Sequence, residues 1–169
     1  LGVDADEAFP AGVREVLADR GCPFTLVNAG VSGDTSAGGR ARVDWLLRQK
    51  PAAVVVELGG NDGLRGLSLD ATRTNLEAIV TASMRAGARV VLCGMQLPPN
   101  YGRDYTARFR ALFGEIAARH KAALVPFFLE GVADRRESFQ ADGIHPVAEA
   151  QPRILENVWP VLAPMLRQT

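Results

Sequence analysis

The chain has 169 residues, a length that suits one domain built around one hydrophobic core. Hydrophobic residues make up 47% of it and charged residues 22%, which is typical of globular proteins and excludes the disordered and fibrous classes. Nineteen basic residues balance nineteen acidic ones, so no net charge attracts nucleic acid or an anionic membrane surface. No apolar run reaches the roughly 20 residues needed to cross a bilayer. The expected partner is therefore a small molecule that is neutral or weakly charged.

The predicted elements begin with a helix, because Phe9, Val13 and Leu17 recur at a spacing that places them on one face. Two short apolar runs follow, at residues 24–28 and 53–58, and their length and composition are typical of buried parallel strands. The chain thus starts on a helix, whereas doubly wound folds usually start on a strand whose carboxyl end helps to build the site. We expect the fold's first strand to be absent from this sequence.

The second half of the chain repeats the alternation of helix and strand. Helical patterns around residues 76–84 and 105–116 precede apolar runs at residues 89–95 and 123–127. A final helix begins near Val147. We expect this last helix to be kinked or broken, because each internal proline removes a backbone donor and clashes with the preceding turn. Its prolines are Pro152, Pro160 and Pro164.

This alternation predicts the fold class. Each right-handed crossover between parallel strands needs a helix, so helices cover both faces of the sheet. The expected architecture is an α/β fold, a three-layer α/β/α sandwich with a central parallel sheet. No repeat, low-complexity tract or linker interrupts the pattern. Residues 1–169 are therefore expected to form a single domain.

Three loops contain glycines or polar side chains that are typical of a ligand site. They lie near the carboxyl ends of the predicted strands or between the last strand and the last helix. Loops in these places build the ligand site of an open parallel sheet. Gly33 lies in a turn of small residues that leads into a helix, and Asn61 follows a pair of glycines. Asp142 and His145 lie just before the last helix. An amide, a carboxylate, an imidazole and a turn rich in backbone N–H groups are thus predicted at one edge of the sheet.

Each loop also has a purely structural interpretation. Gly33 can shape a turn in which Asp34 or Thr35 caps the following helix, and Asn61 can belong to an ordinary side-chain-capped turn. The spacing of Asp142 and His145 often arises by chance. Their predicted occurrence at the same sheet edge favours a functional site, because independent accidents would scatter along the chain.

Three segments carry a resemblance to a known family. They are Val27–Thr35, Val56–Gly63 and Asp142–Pro146. Together they resemble three of the four signature blocks of the SGNH (GDSL-like, flavodoxin-like) hydrolase family, in the family's order and at matching intervals. Three further segments are similar to the bacterial thioesterase, arylesterase and lysophospholipase branch of that family, namely Leu64–Gly66, Leu97–Gly102 and Pro126–Phe128.

The resemblance implies a serine hydrolase of carboxylic esters or thioesters and assigns a role to four residues. His145 is implied as general base and acid, and Asp142 as the residue that holds its tautomer. Gly33, through its backbone N–H, and Asn61, through its side-chain amide, are implied as oxyanion-hole donors. Apolar residues near these positions are expected to bind the acyl group. They are Leu64, Met95, Leu97, Pro98 and Tyr101.

The sequence departs from the family at its nucleophile. The family's first block, a Gly-Asp-Ser turn at the end of the first strand, does not occur here. Ser32 is the only serine in a loop that looks like part of a site, but the family places its serine elsewhere. We expect the nucleophile in a segment upstream of Leu1. Two alternatives stay open, a non-catalytic binding domain that has lost its serine and a carbohydrate acetylesterase.

Further expectations concern cofactors, thiols and location. The two histidines, His120 and His145, are not spaced as a metal pair, so we expect neither a metal nor an organic cofactor. Cys22 and Cys93 are too few for a disulfide framework and are expected to be buried thiols. The branch that the chain resembles is often exported, which favours a periplasmic or secreted protein, otherwise a cytoplasmic one. A monomer or weak homo-oligomer is expected.

Overall fold

A computed structural model describes residues 9–166 of the chain. These residues divide into two compact units. One contains residues 9–32 and Leu129–Pro160, and the other contains Gly33–Phe128 and residues 161–166. The organisation of residues 1–169 as a single domain stays a prediction.

The sheet lies in the second unit and is wholly parallel. Its strands are β1 (Ala53–Val56), β2 (Arg89–Cys93) and β3 (Ala123–Val125), in the order β1-β2-β3. Ala53 pairs with Arg89 and Leu92 with Leu124, so the strands run side by side with their carboxyl ends at one edge. This confirms the predicted parallel α/β fold and three of the four predicted strands.

The helices of the described residues are α1 (Phe9–Asp19), α2 (Ser36–Leu47), α3 (Gly60–Leu64), α4 (Leu69–Arg85), α5 (Arg103–His120) and α6 (Gln151–Leu166). At least one helix lies between each two consecutive strands, but the predicted strict alternation does not hold, since α1 and α2 are consecutive and so are α3 and α4. Single turns of 3-10 helix cover Pro99–Tyr101, Arg136–Ser138 and Ala148–Ala150. The start of α2 is fixed by the hydroxyl of Thr35, which accepts a hydrogen bond from the backbone N–H of Gly38.

The core of the second unit forms where α4 and α5 pack on β2. From Val90 to Cys93 this central strand is almost fully excluded from solvent, and α5 also contacts β3. Phe109 and Phe113, one turn apart on α5, meet edge to face with ring centroids 5.3 Å apart. Burial of this apolar surface fixes the sheet and thereby the loops that leave its carboxyl edge.

The prediction of a strand at residues 24–28 is wrong. A strand exists through hydrogen bonds to a neighbour, and no described residue pairs with this segment. Val27 is 56% exposed, although its apolar neighbours suggested a buried strand. Within residues 9–166, β1 likewise has a neighbour on one side only. The apolar composition of residues 24–28 is typical of a strand, but no described residue provides the neighbouring strand that this segment would need.

The last helix is not broken, because α6 runs through all three of its prolines, and the alternative expectation of a kink stays a prediction. Pro152 lies in the first turn, where a backbone N–H has no acceptor within the helix. Pro160 and Pro164 are exposed and one turn apart, so water can bind the carbonyl groups that they leave without a donor. Ile154 and Val158 are buried on the same helix, and this burial compensates for the lost bonds.

The tight contact between the ends of β2 and β3 yields a prediction about stability. A side chain at Gly94 would lie 2.3 Å from the backbone oxygen of Pro126, which cannot move without disturbing the sheet. Gly94→Ala is expected to lower the free energy of unfolding by about 1 to 3 kcal/mol, measured by urea denaturation. The control is Gly114→Ala, because a Cβ at this helical glycine would meet only Leu124, at an ordinary contact distance of 3.9 Å, and should gain about 0.5 to 1 kcal/mol. Equal effects at the two positions would contradict the packing described here.

Candidate active site

The first unit brings together the predicted pair Asp142 and His145. Oδ2 of Asp142 lies 2.7 Å from Nδ1 of His145. The other carboxylate oxygen, Oδ1, accepts hydrogen bonds from the backbone N–H groups of Ile144, at 2.9 Å, and of His145, at 3.1 Å. The carboxylate therefore folds back on its own loop and holds both the ring and the backbone of the histidine.

A small hairpin-like loop supports this pair. Phe139 and Pro146 form an isolated antiparallel bridge, and the backbone N–H of Gln140 donates to the carbonyl oxygen of His145 at 2.8 Å. Val147 donates its backbone N–H to the Ser138 carbonyl at 2.9 Å. These bonds close the loop on either side of the pair, so the imidazole stands on a backbone that is held at both ends.

The turn of this loop depends on a glycine and an arginine. Gly143 has φ of +71°, a conformation that residues with a Cβ rarely adopt. The guanidinium of Arg136 donates to the carbonyl oxygens of Gln140 and Ala141, at 3.0 and 3.1 Å. Together they let the chain reverse between Asp142 and His145.

The second unit brings together the other predicted pair, Gly33 and Asn61. Gly33 has φ of +75°, and its carbonyl oxygen accepts a hydrogen bond from Nη2 of Arg65 at 2.9 Å. Asn61, in the first turn of α3, donates from Nδ2 to the carbonyl oxygen of Asp34 at 2.9 Å. Because a carbonyl oxygen can only accept, this bond fixes which end of the amide faces the turn and leaves one N–H of Nδ2 unused.

A buried polar cluster that the sequence reasoning did not single out lies beside this second pair. The carboxylate of Asp62 accepts from the backbone N–H of Ser36 at 2.8 Å, from the Ser36 hydroxyl at 2.5 Å and from the Thr72 hydroxyl at 3.2 Å. All three residues are almost completely buried. The sequence signal was present, since Asp62 adjoins Asn61, but the partners lie far away along the chain.

Comparison with known proteins now places the chain in a family. Residues 1–151 match the profile of the GDSL-like Lipase/Acylhydrolase family. The chain belongs to this family. Membership confirms the resemblance to SGNH hydrolases, and with it the predicted enzyme class, a carboxylic ester hydrolase.

Individual relatives of this acylhydrolase agree with that placement. The chain is 53% identical to Esterase TesA of Pseudomonas aeruginosa over 98% of this chain and 83% of that protein. It is 43% identical to Thioesterase 1/protease 1/lysophospholipase L1 of Escherichia coli strain K12, over 97% of this chain and 78% of the relative. A crystal structure of TesA superposes with a TM-score of 0.94 at 52% identity and covers 98% of this chain and 92% of that one.

The predicted acyl-binding residues of this acylhydrolase all lie in the second unit. The hydroxyl of Tyr101 donates to the carbonyl oxygen of Leu64 at 2.9 Å, which joins the loops after β1 and β2. Leu97 packs beside Gly63, Met95 is buried, and Pro98 is exposed. The contact between Tyr101 and Leu64 brings part of the set together, and acyl binding by all five stays a prediction.

Glu57 lies at the carboxyl end of β1, just before the glycines that precede Asn61. Desolvation of its carboxylate raises the pKa of Glu57 to about 7, although the residue as a whole is exposed. Burial, and secondarily the charge of Glu57, raises the pKa of the nearby Cys93 thiol well above its ordinary value. Cys93 is therefore a buried neutral thiol, as expected, and Cys22 is half-buried.

Other expectations can be placed only within residues 9–166. There, no group of three or more His, Cys, Asp and Glu side chains is arranged to hold a metal ion. His120, the second histidine, lies at the end of α5 with Nε2 3.8 Å from a carboxylate oxygen of Glu77. No helix in this part of the chain is both long and apolar enough to cross a membrane.

The structure thus brings together two pairs, each inside its own unit. Asp142 and His145 are directly bonded, and Gly33 and Asn61 both adjoin Asp34. Action of the two pairs on a single carbonyl stays a prediction.

The bonding around Asp142 yields a prediction about pH. Its side-chain bond to His145, followed by the two backbone donors, holds the pKa of Asp142 well below its ordinary value of 3.8. A depressed folded-state pKa adds to the free energy of unfolding at every pH above the unfolded value, and this contribution is lost as pH falls through the folded value. Asp142→Asn is therefore expected to be less stable than wild type near neutral pH, with a difference that shrinks below about pH 4.

Urea unfolding of both proteins across this pH range measures the difference. Glu156→Gln, which removes an exposed carboxylate that pairs with Arg153, is the control and should show a much smaller effect. A gap between wild type and Asp142→Asn that does not change with pH would contradict the bonding described here.

Proposed function

We propose that the protein hydrolyses carboxylic esters and thioesters through an acyl-serine intermediate. The observation that carries this proposal is the 2.7 Å bond between Asp142 and Nδ1 of His145. A carboxylate bound to one ring nitrogen leaves the other, Nε2, free to exchange a proton with a serine hydroxyl. Membership of the GDSL-like lipase/acylhydrolase family supports the same chemistry.

His145 accepts or donates the proton in each step of the proposed reaction. Nε2 takes the proton of the serine hydroxyl as the serine oxygen attacks the carbonyl carbon, and Asp142 stabilises the resulting imidazolium. The proton then passes to the departing alcohol or thiol as the bond to the leaving group breaks. Water repeats the sequence on the acyl-serine and releases the carboxylic acid.

Gly33 and Asn61 are proposed to stabilise the negative charge that develops on the carbonyl oxygen. Asn61 suits this role because the bond to Asp34 uses one N–H of its amide and leaves another. A donor fixed in place before the reaction costs no reorganisation when the charge appears, which makes such donors effective.

The serine nucleophile is proposed to come from a segment preceding Leu1. Two observations support this. The part of the chain that the structure describes leaves one edge of β1 without a neighbour, and it leaves residues 24–28 without a strand partner. A further parallel strand paired with this edge of β1 would carry its carboxyl end to the edge where α3 begins.

The proposed substrates are esters and thioesters whose acyl group is apolar. Relatives are named as an esterase, an arylesterase and a thioesterase/lysophospholipase, so aryl esters, acyl-CoA thioesters and lysophospholipids are the classes to assay. Leu64, Leu97 and Tyr101 are proposed to contact the acyl chain, because the bond from Tyr101 to Leu64 joins their two loops.

Hydrolysis of p-nitrophenyl butyrate by the full-length protein tests the proposal. His145→Ala is expected to lower kcat by about 10⁴-fold or more, since it removes the base. Asn61→Ala is expected to lower kcat by about 10²- to 10³-fold, since it removes one donor to the oxyanion. His120→Ala, the matched control at the other histidine, should keep activity. Absence of hydrolysis by a folded wild type would instead favour the non-catalytic binding domain.

Covalent labelling identifies the nucleophile. A fluorophosphonate phosphonylates an activated serine, so the full-length protein is expected to take up one equivalent and the His145→Ala variant almost none. Peptide mapping is expected to place the label upstream of Leu1. Label on Ser32, which is exposed in the described structure, would contradict this assignment.

A further inference from the structure

We propose that Asp62 is a positioning residue for the reaction, because its buried carboxylate fixes the turn that carries Gly33 to the helix that carries Asn61. The inference rests on the proposed function, in which Gly33 and Asn61 are the oxyanion donors. Asp62 itself is not proposed to touch substrate.

The contacts of Asp62 join two parts of the chain that are 26 residues apart. Oδ2 accepts from the backbone N–H of Ser36, the first residue of α2, and Oδ1 accepts from the Ser36 hydroxyl. The neighbouring Asn61 binds the carbonyl oxygen of Asp34. Two consecutive residues of α3 therefore hold the segment immediately after Gly33, one by its backbone carbonyl and one by a backbone N–H.

The rest of the cluster makes the carboxylate hard to move. The Thr72 hydroxyl, on α4, also donates to Oδ1, and the Asn75 amide donates to the Ser36 hydroxyl at 3.1 Å. Asp62 is 2% exposed and Ser36 is fully buried, so water does not compete for these bonds. The turn after Gly33 is thus tied to both α3 and α4.

The energetics favour a role beyond simple stability. A buried carboxylate is costly to desolvate, and within residues 9–166 no cation pairs with that of Asp62. Apolar packing often joins two segments at lower cost. Charge-assisted hydrogen bonds are short and directional, so they fix the relative positions of the groups that they join. Oxyanion stabilisation needs such geometry, because a displacement of about 1 Å in a catalytic group can cost about 100-fold in rate.

Asp62→Asn tests the proposal because it changes chemistry with little change in size. All three groups around the carboxylate are donors toward it, and an amide presents an N–H to one of them. In the full-length protein, kcat is expected to fall by about 10- to 100-fold while KM changes by less than about threefold, since the affected donors act on the transition state. Ser83→Ala is the control, because Ser83 is a buried polar residue on α4 whose hydroxyl donates to the carbonyl oxygen of Ile79 in the same helix, and the change should leave kcat unchanged.

A double-mutant cycle separates positioning from general destabilisation. If Asp62 acts through the donor on Asn61, adding Asp62→Asn to Asn61→Ala is expected to cost clearly less than the same change costs in wild type. Equal losses in the two backgrounds, or a wild-type kcat in a folded Asp62→Asn variant, would overturn the proposal. If Asp62→Asn does not fold, Thr72→Val removes a single donor to the carboxylate and is expected to show the same non-additivity at smaller size.

A readout without catalysis distinguishes failure of this inference from failure of the proposed function. The side-chain amide signal of Asn61 in a ¹⁵N-resolved NMR spectrum, assigned by its loss in Asn61→Ala, reports the bond to Asp34. It is expected to shift toward the value of a free amide in Asp62→Asn and to stay in place in Ser83→Ala. An unshifted signal in Asp62→Asn would overturn the positioning role even if the wild type were inactive as an esterase.

Discussion

Parallel pairing of β1, β2 and β3 is the constraint on which the second unit depends. Because all three strands run in one direction, the loops that leave Val56 and Cys93 emerge at the same edge. Those loops carry Asn61 and the stretch around Tyr101, and the bond between Tyr101 and Leu64 joins them. The strands contribute none of the proposed catalytic residues, but their arrangement determines which loop residues lie next to each other.

Two carboxylates with contrasting surroundings do different work in this acylhydrolase. Asp142 stays accessible to water and is ionised because a ring nitrogen and two backbone N–H groups favour its charge. Asp62 is buried, and its partners are three polar donors that lie on other segments of the chain. One carboxylate orients the imidazole of a residue three positions away, whereas the other connects segments that are distant along the chain. The family resemblance therefore included the first, and the local sequence pattern did not indicate the second.

The elements with a strong local pattern were predictable from sequence. Apolar periodicity indicated α4 and α5, the β-branched runs indicated the three strands, and the resemblance to SGNH hydrolases indicated the pair of Asp142 and His145. The errors arose where the result depends on something outside the segment. Residues 24–28 have a strand-like composition, but a strand requires a partner. The prolines of α6 are tolerated because of where they face, which their positions in the sequence do not state.

Three kinds of contact join two short stretches of the chain, residues 33–36 and 60–65: Asp62 binds Ser36, Asn61 binds the Asp34 carbonyl and Arg65 binds the Gly33 carbonyl. Neither stretch satisfies its polar groups alone, since each supplies hydrogen-bond donors or acceptors to the other. The two stretches should therefore be engineered together. A substitution at Ser36 would require a compensating substitution at Asp62. Transfer of the turn at residues 33–36 to another protein would require α3 to be transferred with it.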